Sequence, residues 1–184
     1  KTPAPALNLS FDDLCSLTRT GEEIAQLLCC FQIKEVSGIH QTEALLGQAA
    51  GVFADSILSR QIISQDLARR ESIRNTFIPE LNIHLLHCRT TAVPHCRCAY
   101  IKLQTPFLIP GGTVKGAILL LAPQSDQNEC VEVISQISML LVEDKRFLQA
   151  LQSGDVNEGR VLAEQTLVKY YQNLIIKRKG DGTL

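Results

Sequence analysis

The chain has 184 residues, of which 45% are apolar and 20% charged, with a formal net charge of -1. That length suits one domain with a sizeable core, and the charge gives no global field for nucleic acid or an acidic membrane. No run approaches the roughly 20 apolar residues of a spanning helix, so a direct nucleic-acid or membrane role is excluded at this stage.

In chain order, residues 1–9, with two Pro and two Ala among the first six, read as a linker, as in a domain cut from a longer protein. Ser10 precedes Phe11-Asp12-Asp13-Leu14 as an N-cap with acidic residues in the first turn. Apolar residues to Phe31 then predict a flanking helix within 10–36, with a break near Gly21. Ser37-Gly38 punctuates the chain. Spacings of three and four predict an amphipathic helix over 40–59, and a second over 64–75 ending before Pro79.

Short apolar runs then predict strands at 83–86, 99–103 and 117–121, with a turn in Pro106 to Gly112. The run Ile118-Leu119-Leu120-Leu121 does not alternate, which predicts a strand covered on both faces. Helices are expected over 128–142, 145–152 and 157–177, Gly154 and Gly180 stand at expected C-caps, and 179–184 reads as a frayed tail. Helices, strands, then helices imply an α/β sandwich, a small mixed sheet with helices on both faces.

Residues 82–98 concentrate the chemistry: His84, His87, His95, Cys88, Cys96, Cys98 and two arginines. Between two strands they are expected to form a loop presenting His, Cys and Arg together. All six are potential zinc ligands, but no C-x2-4-C pair repeats and His95-Cys96-x-Cys98 is crowded for tetrahedral ligation, so no metal is expected. Seven cysteines in a chain able to build a core predict reduced thiols and a cytoplasmic location, with Cys15, Cys29 and Cys30 as small buried residues. No phosphate-binding loop or dinucleotide glycine pattern is present, and no cofactor is expected. His84 is expected to pack, His40 to lie near a helix start, and Lys177-Arg178-Lys179 to be a solvated end.

Arg70-Glu71-x4-Thr76 followed by Ile83-x3-His87-Cys88-Arg89-Thr90 resembles the active-site segment of enzyme IIA domains of the bacterial phosphotransferase system, mannitol/fructose type. Ala117 to Pro123 is similar to that family's central strand, and Asn128 to Leu141 to its next helix. The resemblance implies a IIA-like domain over 37–178 and a phosphohistidine. Ala92-Val93-Pro94-His95 matches the family's Pro-His wording, but His87 lies 17 residues beyond Arg70 and His95 lies 25 beyond it. The family spacing therefore favours His87, with His95 as the alternative.

Guanidinium offers a fixed fork to phosphate oxygens, which makes Arg70 the expected phosphate ligand and Arg89 the second. Where the family usually carries a second His, at a helix start, stands Cys130, whose helix end favours anions. His-Cys-Arg-Thr is similar to the IIA-like domain at the C-terminus of transcriptional activators of mannitol-operon type, which carry phosphotransferase regulation domains. The resemblance implies a phosphorylation-controlled regulatory domain partnered by the phosphocarrier protein (HPr), a IIB component, or other domains of the same regulator. A transport IIA passing phosphate to IIB is the alternative, and a Cys/His metal-binding or redox-sensing module is the alternative from another class.

Overall fold

The computed structural model describes residues 9–180. Most of the expected linker and the last four residues of the expected tail lie outside the described residues. Six helices, α1 (Phe11–Cys30), α2 (Thr42–Ala50), α3 (Ile57–Ile73), α4 (Glu129–Glu143), α5 (Lys145–Ser153) and α6 (Val156–Gly180), surround five strands. The strands are β1 (Gln32–Val36), β2 (Phe77–Ile78), β3 (Ile83–Thr90), β4 (Arg97–Ile109) and β5 (Gly112–Pro123). They lie in the order β1-β4-β5-β3-β2. β1 runs parallel to β4 and β3 parallel to β5, while the β4–β5 and β2–β3 pairs are antiparallel. This is the mixed sheet covered on both faces that the sequence predicts.

Two cores flank the sheet. On one face Tyr100, Ile118 and Leu120 pack against Leu27 of α1, Val133 of α4, Phe147 of α5 and Leu167 of α6. On the other, Ile101, Leu119 and Leu121 pack against Leu45 of α2 and Ile63 of α3. Alternate residues of β5 enter opposite cores, so every one from Gly116 to Pro123 is buried, the reason its run is apolar throughout.

The structure corrects several boundaries. The helix expected over 40–59 is two. Gly51 ends α2, and Ser56 opens α3 by accepting the Ser59 amide, while Ser59 Oγ accepts the Ser56 amide. β1, read within the end of the first helix, is an edge strand that β4 completes. The turn expected over 106–112 narrows to Pro110-Gly111, because β4 continues through an irregularity between Lys102 and Phe107 that accommodates Pro106. Gly111 takes φ +102, which a side chain would resist.

α1 is unbroken at Gly21. There the Tyr171 side chain of α6 packs beside Gly21, and its hydroxyl donates to the Leu17 carbonyl. The expected basic tail is also helix: Arg178 donates to the Asp13 carbonyl and to Ser16 Oγ, joining α6 to α1.

Candidate functional site

The His/Cys/Arg stretch is not one loop. β3 runs to Thr90, so His87, Cys88 and Arg89 sit on a strand, and only Thr91 to Cys96 connects it to β4. β2 is two residues long, which leaves His87, three residues past the His84–Phe77 pair, at an open edge of β3.

The end of α3 is fixed against that edge by its own sequence. Glu71 accepts from the Thr76 amide at 3.2 Å and from the Thr76 hydroxyl at 2.6 Å, and the Leu85 amide donates to the Thr76 carbonyl at 3.0 Å. These bonds turn the chain from helix into β2 and hold the last helical turn over β3. As a result Arg70 Nε donates to His87 Nε2 at 3.1 Å. The other ring nitrogen, Nδ1, lies 2.9 Å from the Leu85 carbonyl. A carbonyl can only accept, so the partners assign the ring proton to Nδ1 and leave a lone pair on Nε2. The ring is a neutral imidazole with its nucleophilic nitrogen held against a guanidinium.

A cleft of about 250 Å³ opens at this point, with Arg70, Arg74, Asn75, Thr76 and His87 in its wall. Two guanidiniums and no carboxylate line it, which suits an anion. Sequence reading missed Arg74. It is the C-cap of α3, in extended backbone, so helical periodicity does not place it beside Arg70.

The other expected residues go elsewhere. His95, in the connection between β3 and β4, faces α1, with Nδ1 3.1 Å from Glu23 Oε1 and Nε2 3.9 Å from Glu22. Arg89 donates to the Asp126 carbonyl at 2.8 Å and to Asn128 Oδ1 at 3.3 Å, and so holds the segment that leads into α4. Cys130 does occupy the first turn of α4, but it is fully buried and its sulfur is joined to Cys96. The expectation of reduced thiols throughout therefore fails at this pair. Cys29 is exposed, and Cys15 and Cys30 half-buried, rather than core residues.

Burial pushes the Cys88 thiol up to about 12 and the Cys98 thiol higher still, which removes both as nucleophiles. His84 packs as expected, buried beneath Phe77 with ring centroids 5.4 Å apart, and His40 is exposed just ahead of α2.

The six His and Cys of residues 82–98 do not gather around one point. Among the described residues, the possible metal ligands that come together are Glu23, Cys96 and Cys130, within 4.8 Å of one another. No helix among the described residues is long and apolar enough to cross a membrane.

The family described as phosphoenolpyruvate-dependent sugar phosphotransferase system, EIIA 2, matches residues 33–162. Among solved structures, the nitrogen regulatory protein IIA-Ntr from Neisseria meningitidis is similar, with a TM-score of 0.58 and 20% identity over 74% of this chain and 94% of that one. A protein assigned as a PTS IIA (PtxA) from Streptococcus mutans gives 0.54 and 12% over 84% of this chain and 96% of that one. One assigned as a PTS IIA domain from Streptococcus pyogenes M1 GAS gives 0.54 and 15%, over 89% and 98%. At these identities the likeness is one of fold. No curated protein matches the sequence.

Proposed function

Because the chain belongs to the EIIA 2 family of the phosphoenolpyruvate-dependent sugar phosphotransferase system, its function is phosphocarrier-related, and we propose that His87 Nε2 is the phosphoryl acceptor. The observation that carries this reading is the 3.1 Å contact of Arg70 Nε with His87 Nε2, with Nδ1 turned to the Leu85 carbonyl. In the transfer, the Nε2 lone pair forms the new N–P bond as the bond from phosphorus to the donor nitrogen breaks. The donor nitrogen leaves with the electron pair. Arg70 swings from Nε2 onto the phosphoryl oxygens, and Arg74 supplies a second guanidinium from the cleft wall. Arg89 acts at one remove, by holding the segment before α4.

The finer reading is a regulatory domain of a bacterial transcriptional activator of mannitol-operon type. The phosphocarrier protein or a IIB component would phosphorylate it, and its modified state would alter contacts with other domains of the regulator. His87-Cys88-Arg89-Thr90 supports this by its similarity to those activators. Cys130 supports it too, since a residue bonded to Cys96 stands where a transport IIA usually has its second His. A transport IIA is the runner-up, and passage of label to a IIB domain separates the two.

The test is phosphorylation by phosphoenolpyruvate, enzyme I and the phosphocarrier protein. Wild type and His95→Ala should take acid-labile label and His87→Ala none. Arg70→Ala should slow labelling by about a hundredfold or more. Label that persists in His87→Ala and disappears in His95→Ala would move the acceptor to the α1 side of the molecule.

A further inference from the structure

The phosphoryl-transfer reading leaves unused a group of ligand-type side chains where α1, the start of β4 and the start of α4 meet. Cys96 and Cys130 are fully buried, with Cα atoms 5.6 Å apart. Glu23 reaches them from α1: its Oε2 accepts the Cys96 amide at 2.6 Å, while its Oε1 lies 3.1 Å from His95 Nδ1. Two sulfurs and a carboxylate therefore converge within 4.8 Å of one another from three parts of the chain, with His95 behind the carboxylate. A cleft of about 250 Å³ opens beside Glu23, its wall carrying the carboxylates of Glu22, Glu23, Asp126 and Glu129 and the guanidinium of Arg19, which pairs with Glu129 at 2.8 Å. Its carboxylates outnumber its one guanidinium, a balance that favours cations.

We propose that the reduced form of this cluster is a zinc-class metal site, with Cys96, Cys130 and Glu23 as its protein ligands and a fourth position left to solvent, and that the Cys96–Cys130 disulfide is its metal-free oxidised form. Two soft thiolates with one carboxylate are a donor set for Zn²⁺, and a solvent molecule completes the tetrahedron. The sulfurs must part from bonding distance to allow metal–sulfur bonds of about 2.3 Å. That movement falls to two side chains, one just ahead of β4 and one in the first turn of α4.

The disulfide opens by taking two electrons and two protons from a dithiol reductant, which becomes a disulfide itself. Metal binding then releases one proton from each thiol. Since Glu23 belongs to α1, the ion would clamp α1 to the sheet and to α4, making that contact dependent on redox state and metal supply. Its ligands do not include His87, and the proposal does not depend on the phosphoryl-transfer reading.

The experiment titrates the full chain with Zn²⁺ against a chromophoric chelator, after phosphine reduction and, separately, in the oxidised state. Co²⁺ serves as a spectroscopic probe. Reduced wild type should hold one ion per chain with a thiolate-to-cobalt charge-transfer band, and the oxidised protein none. Cys96→Ser and Cys130→Ser should abolish the site, Glu23→Gln should weaken it by more than about tenfold, and Cys98→Ser should leave it intact.

Reduced protein that holds zinc no better than the serine variants overturns the proposal, as does equal binding by the oxidised form or unchanged affinity in Glu23→Gln. If a serine variant fails to fold, the cobalt spectrum of reduced wild type still decides, because a site without thiolates lacks the charge-transfer band.

Discussion

Two histidines three residues apart on β3 meet opposite environments. His87 stands at the open edge, where both ring nitrogens have partners. His84 is buried, and neither of its ring nitrogens has a hydrogen-bond partner among the described residues; the nearest carboxylate oxygen, on Glu71, is 3.7 Å from Nδ1. Burial disfavours the imidazolium and outweighs the attraction of Glu71, so the folded-state pKa of His84 is lowered. The unfolded chain takes up this proton as pH falls through about 6.5, whereas the folded chain does not. His84 therefore makes stability decline from pH 7 downward until the lowered pKa is reached. Urea unfolding at pH 7.5 and 5.5 should show a smaller difference for His84→Phe than for wild type.

At the scale of elements, the site depends on how α3 is stopped. The Glu71–Thr76 bonds end the helix beside β3, and the brevity of β2 leaves the acceptor uncovered. The neighbouring β4–β5 pair is held by a different device. Gly116 has no side chain where Tyr100 and the backbone of β4 press on β5; a Cβ there would stand 2.6 Å from the Ile101 carbonyl oxygen. Both partners are buried and cannot yield cheaply. Gly116→Ala should cost about 1–3 kcal/mol, read as a lower urea midpoint with an unchanged slope.

For the whole molecule, α1 and α6 form a layer joined by Arg178 and Tyr171, and α1 lies ahead of the family match at 33–162. Phe31, just after α1, anchors that layer. It is 2% exposed, its ring centroid lies 6.4 Å from that of Phe147, and its carbonyl accepts from Arg160. Gly159 admits the ring, since a Cβ there would sit 3.3 Å from it. Phe31→Ala should lose about 3–5 kcal/mol and lower the thermal midpoint by roughly 6–20 °C in calorimetry.

The sequence by itself determined the α/β class and the doubly buried β5, and its motif spacing singled out Arg70 and His87, whose contact only the structure shows. Apolar periodicity and motif spacing are local properties that survive without coordinates. It did not determine β1, whose strand state depends on pairing with β4 some 67 residues away, as in the match of Gln32 to Ala99. Nor did it place Arg74, brought into the cleft wall by the extended backbone at its helix end, or the meeting of Cys96 with Cys130 across 34 residues. Those features arise from packing between distant segments, where contact is decided by which faces the sheet and helices bury rather than by spacing along the chain.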